Sequence, residues 1–403
     1  MEMNRNRTQQ GEPISVIFAT NDSPKNADFV NQRSFFFEEI IRNWISSKGS
    51  FSVTKLSINS ILENYKGQKS SVAYAEDIEF SRIADDSQLG FNEELSRVVL
   101  KFTQANIIIL DNCYLWPLVK IAKQKNPKIV IVYIGHNIEV ELKATIASLE
   151  KWPRNFTKVS LEFLTNIEQS VVREADLIFA CSDYDLKTYE KYGAKQCLLV
   201  PNGANKRLAG IESSASHEID ISTEKFLLYV ASGHPPNVHG FIKGIGMDLG
   251  FMPPNSKIVV VGTSGNYLMS KISESKYRET FLMRGKVIPE CPNDLLARLY
   301  KHAEAILLPI FEGGGTNIKT AEAFLNGKKI IATQFSLRGF DLKYWNLDKL
   351  KLVSDKMEFR SAIINVLSAS PALDNLNDEF AYSWQWISDR YLEMIEFKLN
   401  ELV

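Results

Sequence analysis

Residues 312–322 read Glu-Gly-Gly-Gly-Thr-Asn-Ile-Lys-Thr-Ala-Glu, between the apolar run Ala-Ile-Leu-Leu-Pro-Ile and a helical segment that extends to Asn326. Three successive glycines, Gly313, Gly314 and Gly315, let the backbone approach a ligand closely. The helix beginning beyond Thr316 offers unpaired N–H groups and the positive end of its dipole. A diphosphate suits such a turn. Lys319 and Glu322 are three apart and so share a helix face, and helical side chains lean toward the N-terminus, so both can reach back toward the glycines. The competing reading is a glycine-rich connector followed by a surface Lys-Glu pair.

Other chemistry-bearing residues also follow apolar runs. His136 ends the run 128–134, where a ligand-facing side chain would stand; the alternative is a strand-end histidine bonded to backbone. His234 and Asn237 lie in Ser-Gly-His-Pro-Pro-Asn, which equally reads as a turn opening a helix at Pro235 or Pro236. Gly262 follows the run 257–261 and joins the ligand-binding candidates. Arg33, beyond the segment 23–28, could meet an acidic acceptor or simply be a solvated helix arginine. Asp183-Tyr184-Asp185 has the DxD form of a metal site, but Ser182 with Asp185 three residues on reads instead as a helix N-cap. No metal is expected. GxGxxG and GxxxxGK[ST] are absent from strand-to-helix contexts, which disfavours nicotinamide enzymes and P-loop NTPases.

Composition bounds these readings. At 403 residues, 45% hydrophobic and 24% charged, the chain suits two globular domains. A net charge of −1 recruits no nucleic acid. Apolar runs fall far short of the ~20 residues that span a bilayer, and the polar start lacks the apolar region of a secretory signal, so the protein is expected to be soluble and cytoplasmic. Cys113, Cys181, Cys197 and Cys291 show no close pairing and read as reduced structural thiols. Residues 152–158 mix aromatic and basic types, as a peripheral membrane contact or a partly exposed connector would.

The elements that must position these residues follow a regular pattern. Apolar, β-branched runs at 14–19, 51–56, 106–110, 128–134, 176–181 and 197–200 alternate with helix-length segments, and a second series runs at 226–231, 257–261, 286–288, 305–309, 329–332 and 351–353. That is α/β architecture with parallel sheets covered on both faces. The polar stretch 204–224 reads as the domain boundary. The division is a disordered lead at 1–12, one doubly wound domain at 13–204, a second at 205–380, and a closing helical segment at 381–403. Ligands of such sheets bind beyond the carboxyl ends of the strands, here in a cleft between the domains.

Over nearly its whole length the chain resembles the retaining glycosyltransferases of the GT-B fold, specifically glycosyltransferase family 4. The resemblance rests on EGGGTNIKTAEAFLNGKKIIAT, on Ile134-Gly135-His136-Asn137, on ADLIFACSDYD at 175–185, on VPNG at 200–203, and on Tyr382-Ser383-Trp384 before an amphipathic end. It implies two Rossmann-like domains with the last helix crossing back to the first. It further implies a nucleotide-sugar donor held by the second domain as substrate, no cofactor, and a glycan, lipid-linked or small-molecule acceptor. Glu322 would hold the ribose hydroxyls, His136 would lie near the transferred sugar, and Glu312 would contact the donor sugar.

Two departures stand out. The family's paired glutamates are separated by seven residues, whereas the position eight before Glu322 is Gly314, and Glu312 lies ten before. The Arg and Lys that follow the first strand of the second domain in family members are replaced by residues 232–237. Their neutralising charge would then come from Lys319 or Arg284, with Arg33 a further candidate. An epimerase or phosphorylase on the same architecture, and a non-catalytic partner subunit, are the rival expectations.

Overall fold

The computed structural model describes residues 14–20, 32–49, 51–57, 72–86, 93–207, 225–369 and 381–402. The expected lead, the segment 23–28 and most of the boundary stretch fall outside them. Among the described residues, twelve strands form two six-stranded parallel sheets. The first contains β1 (Ile14–Thr20), β2 (Phe51–Ser57), β3 (Ile107–Leu110), β4 (Val130–Ile134), β5 (Leu177–Ala180) and β6 (Cys197–Leu199), in the order β2-β1-β3-β4-β5-β6. The second contains β7 (Lys225–Val230), β8 (Ser256–Val261), β9 (Gly285–Ile288), β10 (Ala305–Leu308), β11 (Lys329–Ala332) and β12 (Leu350–Leu352), in the order β12-β11-β10-β7-β8-β9. Each expected apolar run contains or overlaps one of these strands.

β3, β5 and β10 are buried at every position, which is why they read as unbroken apolar runs without alternation. Each sheet reverses its winding at one place, between β1 and β3 in the first and between β7 and β10 in the second. Neighbouring strands at such a switch send their connections to opposite faces, which opens a crevice at their carboxyl ends. The register sets Ala19 beside Leu110 and Leu228 beside Ile306, so the residues that follow these strands are brought together.

The two sheets are tied by the closing helix Trp384–Asn400. Trp384 stacks on Phe36 at 4.7 Å and donates its indole N–H to Gln32 at 3.0 Å. Trp44 donates to Asn400 at 3.0 Å. One apolar cluster runs from Phe18, Val132 and Phe179 through Ile387 and Leu399 to Leu228, Ile306 and Leu308. Truncating one such aromatic to alanine costs about 3–5 kcal/mol.

The aromatic half of the 152–158 patch is turned inward. Trp152 is buried, donates to the Ala73 carbonyl at 3.0 Å and packs edge-on to the half-buried Phe156 at 5.5 Å, while Pro153, Arg154, Asn155 and Lys158 are exposed. Among the described residues no helix is long and apolar enough to cross a membrane. All four cysteines are unpaired, and Cys113 and Cys181 are buried.

Candidate functional site

The glycine turn follows β10 and leads into the helix Ile318–Leu325, whose N-cap, Asn317, makes no side-chain capping bond. Gly313 and Gly315 adopt φ of 134° and 56°. A β-carbon on Gly315 would stand 2.1 Å from the carbonyl oxygen of His136, and one on Gly314 would stand 2.7 Å from Asn137 Oδ1. The second domain's glycine turn is therefore seated on the first domain's His-Asn pair, and only glycine permits so close an approach. Asn202 of the first domain adds a bond from Nδ2 to Thr316 Oγ1 at 2.6 Å. On its other side the turn is held by Arg338, which donates to the carbonyls of Gly313 and Gly315.

The switch between β7 and β10 brings the His-Pro-Pro-Asn segment alongside. Pro235 begins the helix Pro235–Gly244, as proline at a first helical position should. Lys319 Nζ donates to Asn237 Oδ1 at 2.6 Å, and Asn237 Nδ2 donates to the Ser232 carbonyl at 3.0 Å. Burial lowers Lys319 to about 8, with Glu322 opposing the shift. Burial, then Lys319 and Lys143, lower His234 to about 4. Tyr74 of the first domain donates to the Gly233 carbonyl at 3.2 Å and stands edge-on to His234. Gly262 has φ of 98°, and a β-carbon there would stand 2.4 Å from the Ala231 carbonyl, so it is a glycine for the packing of this corner.

Glu322 is 4% exposed and both of its oxygens are engaged. Arg207 Nε donates to Oε1, and the Tyr300 hydroxyl donates to Oε2 at 3.1 Å. Burial raises its pKa, while Arg207, Tyr300 and Lys319 pull it back. Lys319 and Glu322 share a helix face, yet Lys319 bonds toward the Ser232–Asn237 loop and Glu322 toward the interdomain stretch. The Glu322 oxygens retain lone pairs that further donors can use.

In the first domain the β1–β3 switch places Asp111, directly after β3, against Thr20 and His136. Thr20 Oγ1 donates to Asp111 Oδ2 at 2.9 Å, Ser34 Oγ donates to the same oxygen at 2.6 Å, and His136 Nε2 meets Oδ1 at 2.6 Å. Asp111 is 3% exposed whereas the His136 side chain is 26% exposed. With Nε2 bonded to a carboxylate, the neutral ring carries its free lone pair on Nδ1.

Other expected site residues lie elsewhere. Arg33 is neither a solvated arginine nor an acceptor contact: it is 1% exposed and donates to the carbonyls of Val200 at 2.6 Å and Phe179 at 3.1 Å and to Asn202 Oδ1 at 3.2 Å. It satisfies acceptors at the carboxyl ends of β5 and β6 and lies over the Phe37 ring at 4.9 Å. Arg284 precedes β9, whose Gly285 pairs with Ile258 early in β8, so it lies at the amino edge of the sheet, away from the ligand-binding edge. Glu312 meets His239 Nδ1 at 2.8 Å, on the helix Pro235–Gly244. Asp185 is buried, and Ser182 accepts from its backbone N–H at 3.1 Å, so the DxD form is the N-cap of the helix Asp183–Tyr192.

Asp111, Arg207 and Arg338 were not singled out by sequence reasoning. Asp111 carried a usable signal, since it is the first residue beyond a fully apolar strand. Arg207 and Arg338 carried none, because each acts across a gap of more than twenty residues.

No protein-family model and no curated protein matches the chain. Among solved structures it is similar to sucrose-phosphate synthase from Thermosynechococcus elongatus, at 14% identity over 96% of this chain and 98% of that one, with a TM-score of 0.63. It is similar to HepE of Anabaena in complex with UDP and glucose, at 14% identity over 96% and 98% of the two chains, with a TM-score of 0.59. It is likewise similar to α,α-trehalose 6-phosphate synthase from Burkholderia multivorans, at 10% identity over 97% and 100%, with a TM-score of 0.58. The chain has the two-domain GT-B fold of these structures, over nearly its entire length.

Proposed function

We propose that the protein is a glycosyltransferase that takes a nucleoside-diphosphate sugar as donor. The observation that carries this reading is the seating of the 313–315 turn, with its uncapped helix start and Lys319, on His136 and Asn137 of the opposite domain. In this reading the donor diphosphate lies at the turn and the first turn of the helix Ile318–Leu325. Lys319 supplies the positive charge. Glu322, fixed by Arg207 and Tyr300, accepts the ribose hydroxyls on its remaining lone pairs. As the bond from sugar to diphosphate breaks, negative charge grows on the leaving group, and donors already in place stabilise it without rearrangement.

His136 stands where the acceptor would approach from the first domain, and the contact between domains would limit hydrolysis by excluding water. The solved structures of HepE with UDP and with UDP-glucose support a uridine donor on this fold. Transfer with retention, independence from metal ions, a glycan, lipid-linked or small-molecule acceptor, and a cytoplasmic place in polysaccharide or glycoconjugate synthesis complete the proposal.

Incubation of the protein with UDP- and GDP-sugars, with and without oligosaccharide and glycolipid acceptors, tests it. The expected result is release of nucleoside diphosphate that accelerates with one acceptor class. Conversion of the free nucleotide-sugar without any acceptor would instead identify an epimerase. Binding of no donor would favour a non-catalytic subunit, a reading suggested by the absence of an Arg-Lys pair in 232–237.

A further inference from the structure

The peptide units of the glycine turn are fixed from outside the turn by one side chain. Arg338 lies in the connection beyond β11, after the short helical turn Gln334–Leu337. Its Nε donates to the Gly315 carbonyl at 2.9 Å, Nη2 donates to the same oxygen, and Nη1 donates to the Gly313 carbonyl at 3.2 Å. The guanidinium rests on the Phe335 ring at 4.6 Å, so its plane is held as well. Gly339, with φ of 82°, lets the backbone pass close to Thr316: a β-carbon there would stand 2.1 Å from Thr316 Cγ2.

A trans peptide points its N–H opposite to its C=O. Holding the Gly313 carbonyl on Arg338 therefore turns the N–H of Gly314 to the far side of the turn. Among the described residues that N–H has no hydrogen-bond partner. The next held unit has the Gly315 carbonyl on Arg338, which by the same geometry turns the N–H of Thr316 away from the guanidinium. Left without Arg338, both carbonyls would be free to rotate toward an incoming anion, which they would repel.

We infer that Arg338 is a positioning residue for the diphosphate of the donor, aiming the Gly314 N–H at the anion and withholding the carbonyls of Gly313 and Gly315 from it. This rests on the donor reading given above. Arg338 need not touch the ligand, and its cationic charge, close to the turn, adds to the field that an anion meets.

The test compares wild-type protein with Arg338→Met and Arg338→Lys, each checked for folding by circular dichroism. The probes are UDP and GDP, titrated by calorimetry, and their parent nucleosides, titrated by saturation-transfer NMR. The expected result is a loss of at least tenfold in affinity for the bound diphosphate in Arg338→Met, with nucleoside affinity unchanged within twofold and partial recovery in Arg338→Lys. Wild-type affinity for the diphosphate in Arg338→Met would overturn the inference. Equal losses for nucleoside and diphosphate would also overturn it, since they would mark a general structural role. Failure of the wild-type protein to bind either diphosphate would remove the donor reading itself, and the inference with it.

Discussion

The carbonyl oxygen of His136 lies 2.1 Å from the place a β-carbon on Gly315 would occupy. Two backbone segments from different domains thus meet with no room for a side chain, at a position whose φ of 56° already favours glycine. Gly315→Ala is expected to push the turn off His136, since neither backbone can yield as a flexible side chain would. Overpacking of this kind costs about 1–3 kcal/mol. Small-angle scattering should report a larger radius of gyration for the variant, with weakened donor binding. An unchanged radius and unchanged affinity would show that the domains do not need this contact.

Arg207, half-buried, and Glu322, buried, form an ion pair whose halves come from the interdomain stretch and the helix Ile318–Leu325. Removing one partner takes away the main counter-charge of the other, at a cost below the ~3–5 kcal/mol of a fully buried pair. Glu322→Gln should therefore lower the denaturation midpoint of the second domain, and Arg207→Gln in the same chain should add much less than its separate effect. Full additivity would mean that the two groups are not coupled.

Donor binding should depend on pH through Lys319. Burial lowers this lysine to about 8 in the free protein, and an anionic diphosphate beside it favours the charged form. Affinity should be full below that value and fall as pH rises through it, with proton uptake on binding at pH 8–9. Calorimetry in buffers of differing ionisation enthalpy measures the uptake directly, and Lys319→Met should abolish it.

His234 makes one contribution to stability that is lost in acid. The folded protein keeps the ring neutral down to about 4, whereas an unfolded histidine protonates near 6.5. At this ring the unfolded chain therefore binds more protons between these values, so the contribution of His234 to stability is full above about 6.5 and is lost as pH falls toward 4. Asp77 opposes the shift weakly. Urea midpoints across this range should slope less in His234→Asn than in the wild type.

Much of this architecture is legible in the sequence because buried parallel strands leave unbroken apolar runs, as β3 and β10 do. The glycine turn is legible for a related reason: three glycines between a strand and a helix have few other uses. What stays hidden depends on registry between distant segments. Arg33 reads as a solvated helix residue, yet the carbonyls of Phe179 and Val200 that it serves come from strands far along the chain. Arg284 is a reasonable cation by type, but only the pairing of Gly285 with Ile258 reveals that it lies at the amino edge. Asp111 is orphaned in the sequence and becomes the partner of His136 only through the β1-β3-β4 order.

The central claim is that the 313–315 turn, Lys319 and Glu322 hold a nucleoside diphosphate. Thermal-shift titration with UDP, GDP, ADP and their sugars, on the wild type and on Lys319→Met and Glu322→Gln, tests it most directly. Ligand at a hundred times its dissociation constant stabilises the folded state by about 2.7 kcal/mol. The account predicts a saturable rise in melting temperature with one of these nucleotides that both substitutions abolish or sharply reduce. A rise that persists undiminished in both variants, or no rise with any of the ligands, would contradict it.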